Sequence, residues 1–311
     1  MRVFVTGASG WIGSAVVPEL IASGHQVIGL ARSDAAAAAL TAAGAEVRRG
    51  SLDDLDALRD AAVASDGVIH LAFKHDLAFS GGFQDAADAD RRAIETFGDA
   101  LAGSERPLVI ASGILGIAPG REATELDGHV LDAALGTSSR GAQTRMASAE
   151  LVISLASRGV RASVVRLPPT NHGAGDNGFM AALVGIARDQ GVSGYIGAGA
   201  NRWPAVHRLD SAHLFRLALE AAPPGSTLHA VADEGVPIRD IAAVIGRHLD
   251  LPMVSIPVED AAEHFAWLAG FLAIDSPASS TLTRARMGWE PTQLGLIDDL
   301  DQGHYFEEPS V

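Results

Sequence analysis

The segment Thr6-Gly7-Ala8-Ser9-Gly10-Trp11-Ile12-Gly13 sets three glycines at intervals of three, directly after the apolar run Val3-Phe4-Val5 and ahead of a stretch with helical spacing. Glycines so placed permit a tight turn, close approach of a pyrophosphate to bare backbone, and close packing of helix against strand. Amide donors and the positive end of the helix dipole then face the phosphates. The feature predicts a dinucleotide site in which Gly7, Ser9, Gly10, Trp11, Ile12 and Gly13 meet the ligand.

Further apolar runs follow at Val27-Ile28-Gly29-Leu30, Gly67-Val68-Ile69-His70-Leu71, Pro107-Leu108-Val109-Ile110 and Ala162-Ser163-Val164-Val165. Between them lie segments of helical spacing or alanine-rich composition, over 13–23, 33–43, 54–64, 85–101 and 142–157. Strands that are apolar on both faces and alternate with helices predict an α/β fold, a doubly wound parallel Rossmann sheet covered on each side. Pro18 falls inside the first helix and should bend it locally. Past Pro168 the texture turns rich in Gly and Pro, which places a boundary there: a dinucleotide-binding domain over 1–168, and a smaller C-terminal substrate lobe built from 169–204 and 233–311. Residues 205–232 are expected to return to the main sheet, and helices are expected at 238–249 and 258–271.

The formal charge of −15 disfavours nucleic acid and anionic membrane surfaces as partners. With no cysteine, thiolate catalysis and Cys-ligated zinc are excluded, and no histidine spacing matches a metal motif, so no metal is expected. No apolar run is long enough to span a bilayer and no signal peptide is visible, which makes a cytoplasmic protein the default expectation. Lys74 is the single lysine.

The second strand ends Leu30-Ala31-Arg32-Ser33-Asp34, where an acid accepts the 2′-hydroxyl of NAD and an arginine favours the 2′-phosphate of NADP. Arg32, with Ser33 as second donor, predicts NADP(H). The alternative is a solvated Arg32 with Asp34 on the ribose.

With these motifs, together with Gly50-Ser51-Leu52-Asp53-Asp54 and Val68-Ile69-His70-Leu71-Ala72, the chain resembles the extended and atypical short-chain dehydrogenase/reductases, the group that includes the NAD-dependent epimerases and dehydratases. The resemblance covers most of the length. It implies that Ser51 and Leu52 lie along adenine, that Leu71, Ala72 and Phe73 lie near the cofactor ribose and pyrophosphate, and that Pro168 borders the cofactor. It also implies a small-molecule substrate and a homodimer. The family's Tyr-x-x-x-Lys pair is absent: the residues four after Tyr195 and Tyr305 are Gly199 and Pro309.

On the helix that should carry the pair, Arg145 is the substitute for the lysine, although Glu150 five residues later leaves Met146 as an alternative register, and the residue four before Arg145 is Gly141. Arginine stays protonated, so Arg145 would stabilise a developing alkoxide or bind a ribose hydroxyl without donating a proton. Ser112, at the end of a strand, is the candidate carbonyl-orienting hydroxyl, with Ala111 in its place if the register shifts by one. For the missing proton donor His172 leads, ahead of His70, His75 and His207. Phe179, Tyr195 and Trp203, with Asn177, Met180 and Phe265-Ala266-Trp267-Leu268, fall where the family builds its substrate pocket. The functional expectation is an NADP(H)-dependent oxidoreductase of a small or medium carbonyl or alcohol. The alternatives are a non-catalytic NADP(H) sensor and a nucleotide-sugar epimerase or dehydratase.

Overall fold

The computed structural model describes residues 1–118, 120–128 and 140–307. In chain order the first half runs β1 (Arg2–Thr6), α1 (Gly13–Ala22), β2 (Gln26–Ala31), α2 (Asp34–Ala42), β3 (Glu46–Arg49), α3 (Leu55–Val63), β4 (Gly67–His70), a single turn α4 (His75–Leu77), α5 (Phe83–Leu101), β5 (Pro107–Gly113), α6 (Arg140–Ser154) and β6 (Arg161–Leu167). The second half adds β7 (Thr170–His172), α7 (Phe179–Gln190), β8 (Ser193–Ile196), β9 (Arg202–His207), α8 (Arg208–Ala221), β10 (Ser226–His229), β11 (Asp233–Pro237), α9 (Ile238–Leu249) and β12 (Met253–Ile256). It closes with α10 (Ala261–Phe265), α11 (Ala269–Leu272), α12 (Thr281–Met287) and α13 (Leu296–Leu300).

Seven parallel strands form the main sheet in the order β10-β6-β5-β4-β1-β2-β3. Strand β1 shows why both faces are covered. Val3 and Val5 point into a core with Val16 and Leu20 of α1 and Phe215 and Leu219 of α8. Phe4, one residue out of phase, points to the other face, among Leu58 of α3, Ile94 and Phe97 of α5 and Val152 of α6. Each such side chain contributes roughly 1.5–3 kcal/mol by leaving water. The strand order reverses at β1, between β4 and β2, so the crevice at the carboxyl ends of β1 and β4 is where an open sheet of this kind takes its ligand.

The expected strands are all present, and α1 runs through Pro18 without ending. Within 205–232, β10 lies beside β6 and α8 packs on α1, whereas β9 pairs with β7 and β11 in a separate three-stranded sheet. Strands β8 and β12 form a third, two-stranded sheet. A second core holds this lobe together, with Trp203, Ile241, Phe265 and Leu296 at its centre. The helix expected over 258–271 is broken into short turns, because Ala266 takes a positive φ of 49° that no continuous helix accommodates. Among the described residues no helix is long and apolar enough to cross a membrane.

Candidate active site

Three backbone contacts shape the turn after β1. Gly7 sits at φ 65°, and a β-carbon there would stand 2.7 Å from the Ala72 nitrogen, so the chain leaving β4 runs directly against it. The Gly10 N–H donates to the Gly7 carbonyl at 2.9 Å. A β-carbon on Gly13 would stand 2.1 Å from that same carbonyl oxygen. Gly10 itself is exposed, and a β-carbon there would touch only the Gly7 oxygen, at 3.2 Å. The outward face of the loop is therefore bare backbone leading to the first turn of α1, which no side chain caps. That arrangement fits a pyrophosphate. Trp11 ties the loop down: its indole N–H donates to the Asn171 carbonyl at 2.8 Å, and the Arg208 guanidinium lies 4.3 Å from its ring centre. Ser9 and Ile12 complete the rim.

At the far end of the crevice, Arg32 extends from the end of β2 with 73% of its side chain in solvent and a loose contact of 3.3 Å to Asp76. Ser33 caps α2, its hydroxyl accepting the Ala36 N–H at 3.2 Å. The carboxylate of Asp34 is taken by Arg49. Ser51 accepts the Asp53 N–H at 3.2 Å, Leu52 is buried, and both oxygens of Asp53 accept from Lys74 at 2.7 Å.

Between these ends, a polar chain crosses the carboxyl edge of the sheet. The Thr6 hydroxyl accepts the Ala72 N–H at 3.3 Å and stands 2.6 Å from Nδ1 of His70, whose Nε2 is 3.2 Å from Asp90. With Asp90 as acceptor, Nε2 carries a hydrogen, and Nδ1 shares a hydrogen bond with the Thr6 hydroxyl. Asp90 stands 3.7 Å from Nη1 of Arg145. The Arg145 guanidinium carbon lies 4.0 Å from the Phe73 ring centre, and Nη2 donates to the Ala111 carbonyl at 3.4 Å. Its Nη1 is buried with no hydrogen-bond acceptor among the described residues. One residue beyond Ala111 on β5 stands Ser112, half-buried, whose hydroxyl has no hydrogen bond among the described residues. Phe73, the carbonyl of Ala111 and Arg145 are thus brought together, with Ser112 next along β5 and with Leu71 and Ala72 packed against Gly7.

The placements expected for His172 and Trp203 are corrected. His172 is not in an open loop: it ends β7, is fully buried, and its Nδ1 is 2.8 Å from Asp299 of α13, with the His207 ring 5.4 Å away. Through Nδ1 it ties two elements of the second lobe together, while its buried Nε2 has no hydrogen-bond partner among the described residues. Trp203 is also fully buried, in the core of that lobe, so its ring does not line a pocket. Pro168 is buried, and its carbonyl accepts from Asn171 at 3.3 Å. Tyr195 is half-buried on β8, where its ring covers the turn at Gly199. Phe179 does reach an aromatic cluster, 5.5 Å from Trp267 and 5.3 Å from Phe271.

Asp90 and Phe79 are not among the residues expected from the sequence, and His75 is expected only behind His172 as a proton donor. Asp90 had a signal: it is an acid on the buried stripe of α5, among Ala86, Ala93, Ile94 and Phe97. His75 packs its ring 5.1 Å from Phe73 and stacks on Phe79 at 5.9 Å, and Phe79 meets Trp267 at 5.1 Å. Burial against these rings, and then the charge of Arg145, holds the His75 pKa below the ordinary imidazole value.

Residues 3–230 match the model of the NAD dependent epimerase/dehydratase family. An uncharacterized protein of Schizosaccharomyces pombe is 46% identical over 310 residues, covering 98% of this chain and 100% of its own. Another, of Saccharomyces cerevisiae, is 45% identical over 302 residues, covering 96% and 98%. Among solved structures, a dTDP-glucose 4,6-dehydratase from Streptomyces venezuelae with NAD bound superposes with a TM-score of 0.75 at 19% identity, over 98% of this chain and 96% of its own. A UDP-glucose 4-epimerase from Thermotoga maritima gives 0.75 at 17%, over 98% of each. At those identities the likeness is one of fold, while the family match spans the whole glycine-loop half and the strands that flank Arg145. The chain belongs to the NAD dependent epimerase/dehydratase family.

Proposed function

We propose that this chain is an NADP(H)-dependent oxidoreductase of a small or medium apolar carbonyl or alcohol. The observation that carries the reading is Arg145: a guanidinium fixed over Phe73 and on the carbonyl of Ala111, next to Ser112 in the chain, with one buried nitrogen that has no hydrogen-bond acceptor among the described residues, Asp90 standing 3.7 Å from it. A buried donor without a partner costs about 1–3 kcal/mol, which a bound oxygen would recover. Arg145 is then placed to bind a ribose hydroxyl or to stabilise an alkoxide, and Ser112 to orient the carbonyl. The backbone from Gly7 to Gly13 would hold the pyrophosphate, Ser51 and Leu52 the adenine, and Arg32 with Ser33 the 2′-phosphate. Asp34, the alternative ribose ligand, is paired at the surface with Arg49. When bound, the nicotinamide supplies or accepts a hydride.

Substrate character follows from what surrounds the crevice. Phe79, Phe179, Trp267 and Phe271 form one ring cluster. Of the cations that could meet a sugar nucleotide's diphosphate, Arg202 forms a two-point pair with Asp275 through Nε at 3.1 Å and Nη2 at 3.0 Å, Arg208 lies on Trp11, and Arg239 stands at the surface, 3.6 Å from Asp240. An apolar carbonyl compound suits this wall better than a nucleotide sugar.

The test is NADPH consumption across a panel of aliphatic and aromatic aldehydes and ketones, with UDP-glucose and dTDP-glucose binding measured in parallel. Turnover of an apolar member is expected, with Arg145→Met lowering kcat by about 100-fold or more. Binding of NADPH without consumption of any member would sink the proposal in favour of a sensor. Tight binding of a sugar nucleotide would sink it in favour of an epimerase or dehydratase.

A further inference from the structure

We infer that His75 transfers the proton to and from the substrate oxygen, the task left open by the missing tyrosine. This rests on the oxidoreductase reading above. Four observations single it out. His70 is enclosed, with Thr6 on one ring nitrogen and Asp90 on the other. His172 is fully buried on Asp299, and His207 spends its Nδ1 capping α8 through the Leu209 N–H at 3.3 Å. His75 alone of these four is exposed, and neither of its ring nitrogens has a hydrogen-bond partner among the described residues. It also shares Phe73 with Arg145, the ring lying 4.0 Å from the guanidinium carbon and 5.1 Å from the imidazole centre.

Local structure explains its placement. The single turn of α4 presents His75, and the chain then widens over Ala78–Gly82, where Ser80 and Gly81 leave helical geometry, Gly81 at φ 97°. That kink sets Phe79 against the imidazole on one side and Trp267 on the other. The imidazole is therefore held between two aromatic rings at the edge of the crevice, with its polar edge open.

The charged groups acting on it are Arg145 from α6, Asp90 from α5 and its neighbour Asp76, the first disfavouring the imidazolium and the two acids favouring it. Burial and Arg145 prevail, so the resting ring is neutral near pH 7. In reduction, hydride adds to the carbonyl carbon, the C=O π electrons move to oxygen, and protonated His75 gives that oxygen its proton and regains one from water. In oxidation, neutral His75 takes the hydroxyl proton as hydride leaves carbon. Arg145 stabilises the oxygen's negative charge between the two states and keeps the ring's proton loosely held.

Two measurements test this. In an imidazole NMR titration, the histidine signal that disappears in His75→Gln should titrate below pH 6.5 in the wild type and move to higher pH in Arg145→Gln. A midpoint unmoved by Arg145→Gln would overturn the coupling. With 4-nitrobenzaldehyde and NADPH, His75→Gln should lose about 100-fold or more in kcat. It should also lose the decline of rate above the His75 midpoint while binding NADPH within twofold of wild type. Full kcat with an unchanged pH profile in His75→Gln overturns the role of His75 alone. A wild type that consumes no NADPH with this probe or any of the wider panel removes the oxidoreductase reading and the proton transfer with it.

Discussion

A methyl group on Gly13 would stand 2.1 Å from the carbonyl oxygen of Gly7 and 2.7 Å from the backbone of Ala8, so the turn between β1 and α1 is closed by backbone on backbone. No side-chain rotation relieves such a clash. Gly13→Ala should destabilise the protein by about 1–3 kcal/mol and weaken dinucleotide binding at least tenfold. Gly10→Ala meets only one atom, at 3.2 Å, and should leave thermal stability within about 1 kcal/mol while still obstructing the pyrophosphate. Thermal denaturation paired with NADPH fluorescence titration separates the two effects. Retained binding in Gly10→Ala would mean that the ligand does not lie over this loop.

Arg32 governs the choice of cofactor in the proposed reading. Its contact with Asp76 is between side chains 73% and 91% exposed and is worth little, so the guanidinium can turn to a phosphate at small cost. A charge-assisted bond is worth about 1.5–3 kcal/mol. Arg32→Ala should therefore raise the Kd for NADPH about tenfold or more and leave that for NADH within about twofold. Equal losses for both cofactors would remove the assignment. Arg49→Ala, which releases Asp34, should shift preference the other way, toward NADH.

Acid stability is set partly by His229. Its ring is fully buried, Nδ1–H donating to the Ser279 carbonyl at 2.8 Å and Nε2 facing Arg166 at 3.4 Å. Burial lowers its pKa to about 4. The unfolded chain, titrating near 6.5, binds this proton first, so the stabilisation is complete above pH 6.5 and is lost as pH falls from 6.5 toward 4. The full loss is about 3 kcal/mol. Asp176 works oppositely, since burial raises its pKa and the fold gains a proton early as pH falls. His229→Asn keeps a donor for Ser279 and removes the titration. Urea denaturation between pH 7.5 and 4.5 should show a steeper decline in wild type than in this variant, and parallel slopes would refute the assignment.

What the chain reveals in one dimension depends on how local each cause is. The glycine loop and strands β1, β2 and β4 were legible because steric need and two-faced burial write themselves into neighbouring residues. Strand β3, Glu46-Val47-Arg48-Arg49, escapes a hydropathy reading because it is a half-exposed edge strand. His172 was misplaced because the partner that buries it, Asp299, lies 127 residues away. The break at Ala266 had no signal in Phe-Ala-Trp-Leu, since a positive φ at alanine is imposed by packing. Arg145 could be named from its helix, but not the contacts it makes with Phe73 and Asp90, which come from distant elements.

The contact between Phe79 and Trp267 joins the connection after β4 to the second lobe, and it gives the apolar-substrate reading its sharpest test. The rings lie 5.1 Å apart, yet 49% of Phe79 and 47% of Trp267 remain in water, so neither contributes much to the folded core. Aromatic pairs of this kind are worth about 0.5–1.5 kcal/mol beyond area burial. A bound aromatic ring that packs on Trp267 would gain energy of that order. Trp267→Ala should raise KM for aromatic aldehydes about fivefold to tenfold, change kcat by less than about twofold, and leave KM for short aliphatic aldehydes unchanged. Stability should fall by about 1 kcal/mol or less. Phe265→Ala, two residues away but fully enclosed, should cost about 3–5 kcal/mol. Steady-state kinetics on the two substrate classes, set beside thermal denaturation of both variants, decides the matter. An equal rise in KM for aliphatic and aromatic aldehydes in Trp267→Ala would show that the ring shapes the lobe without touching substrate.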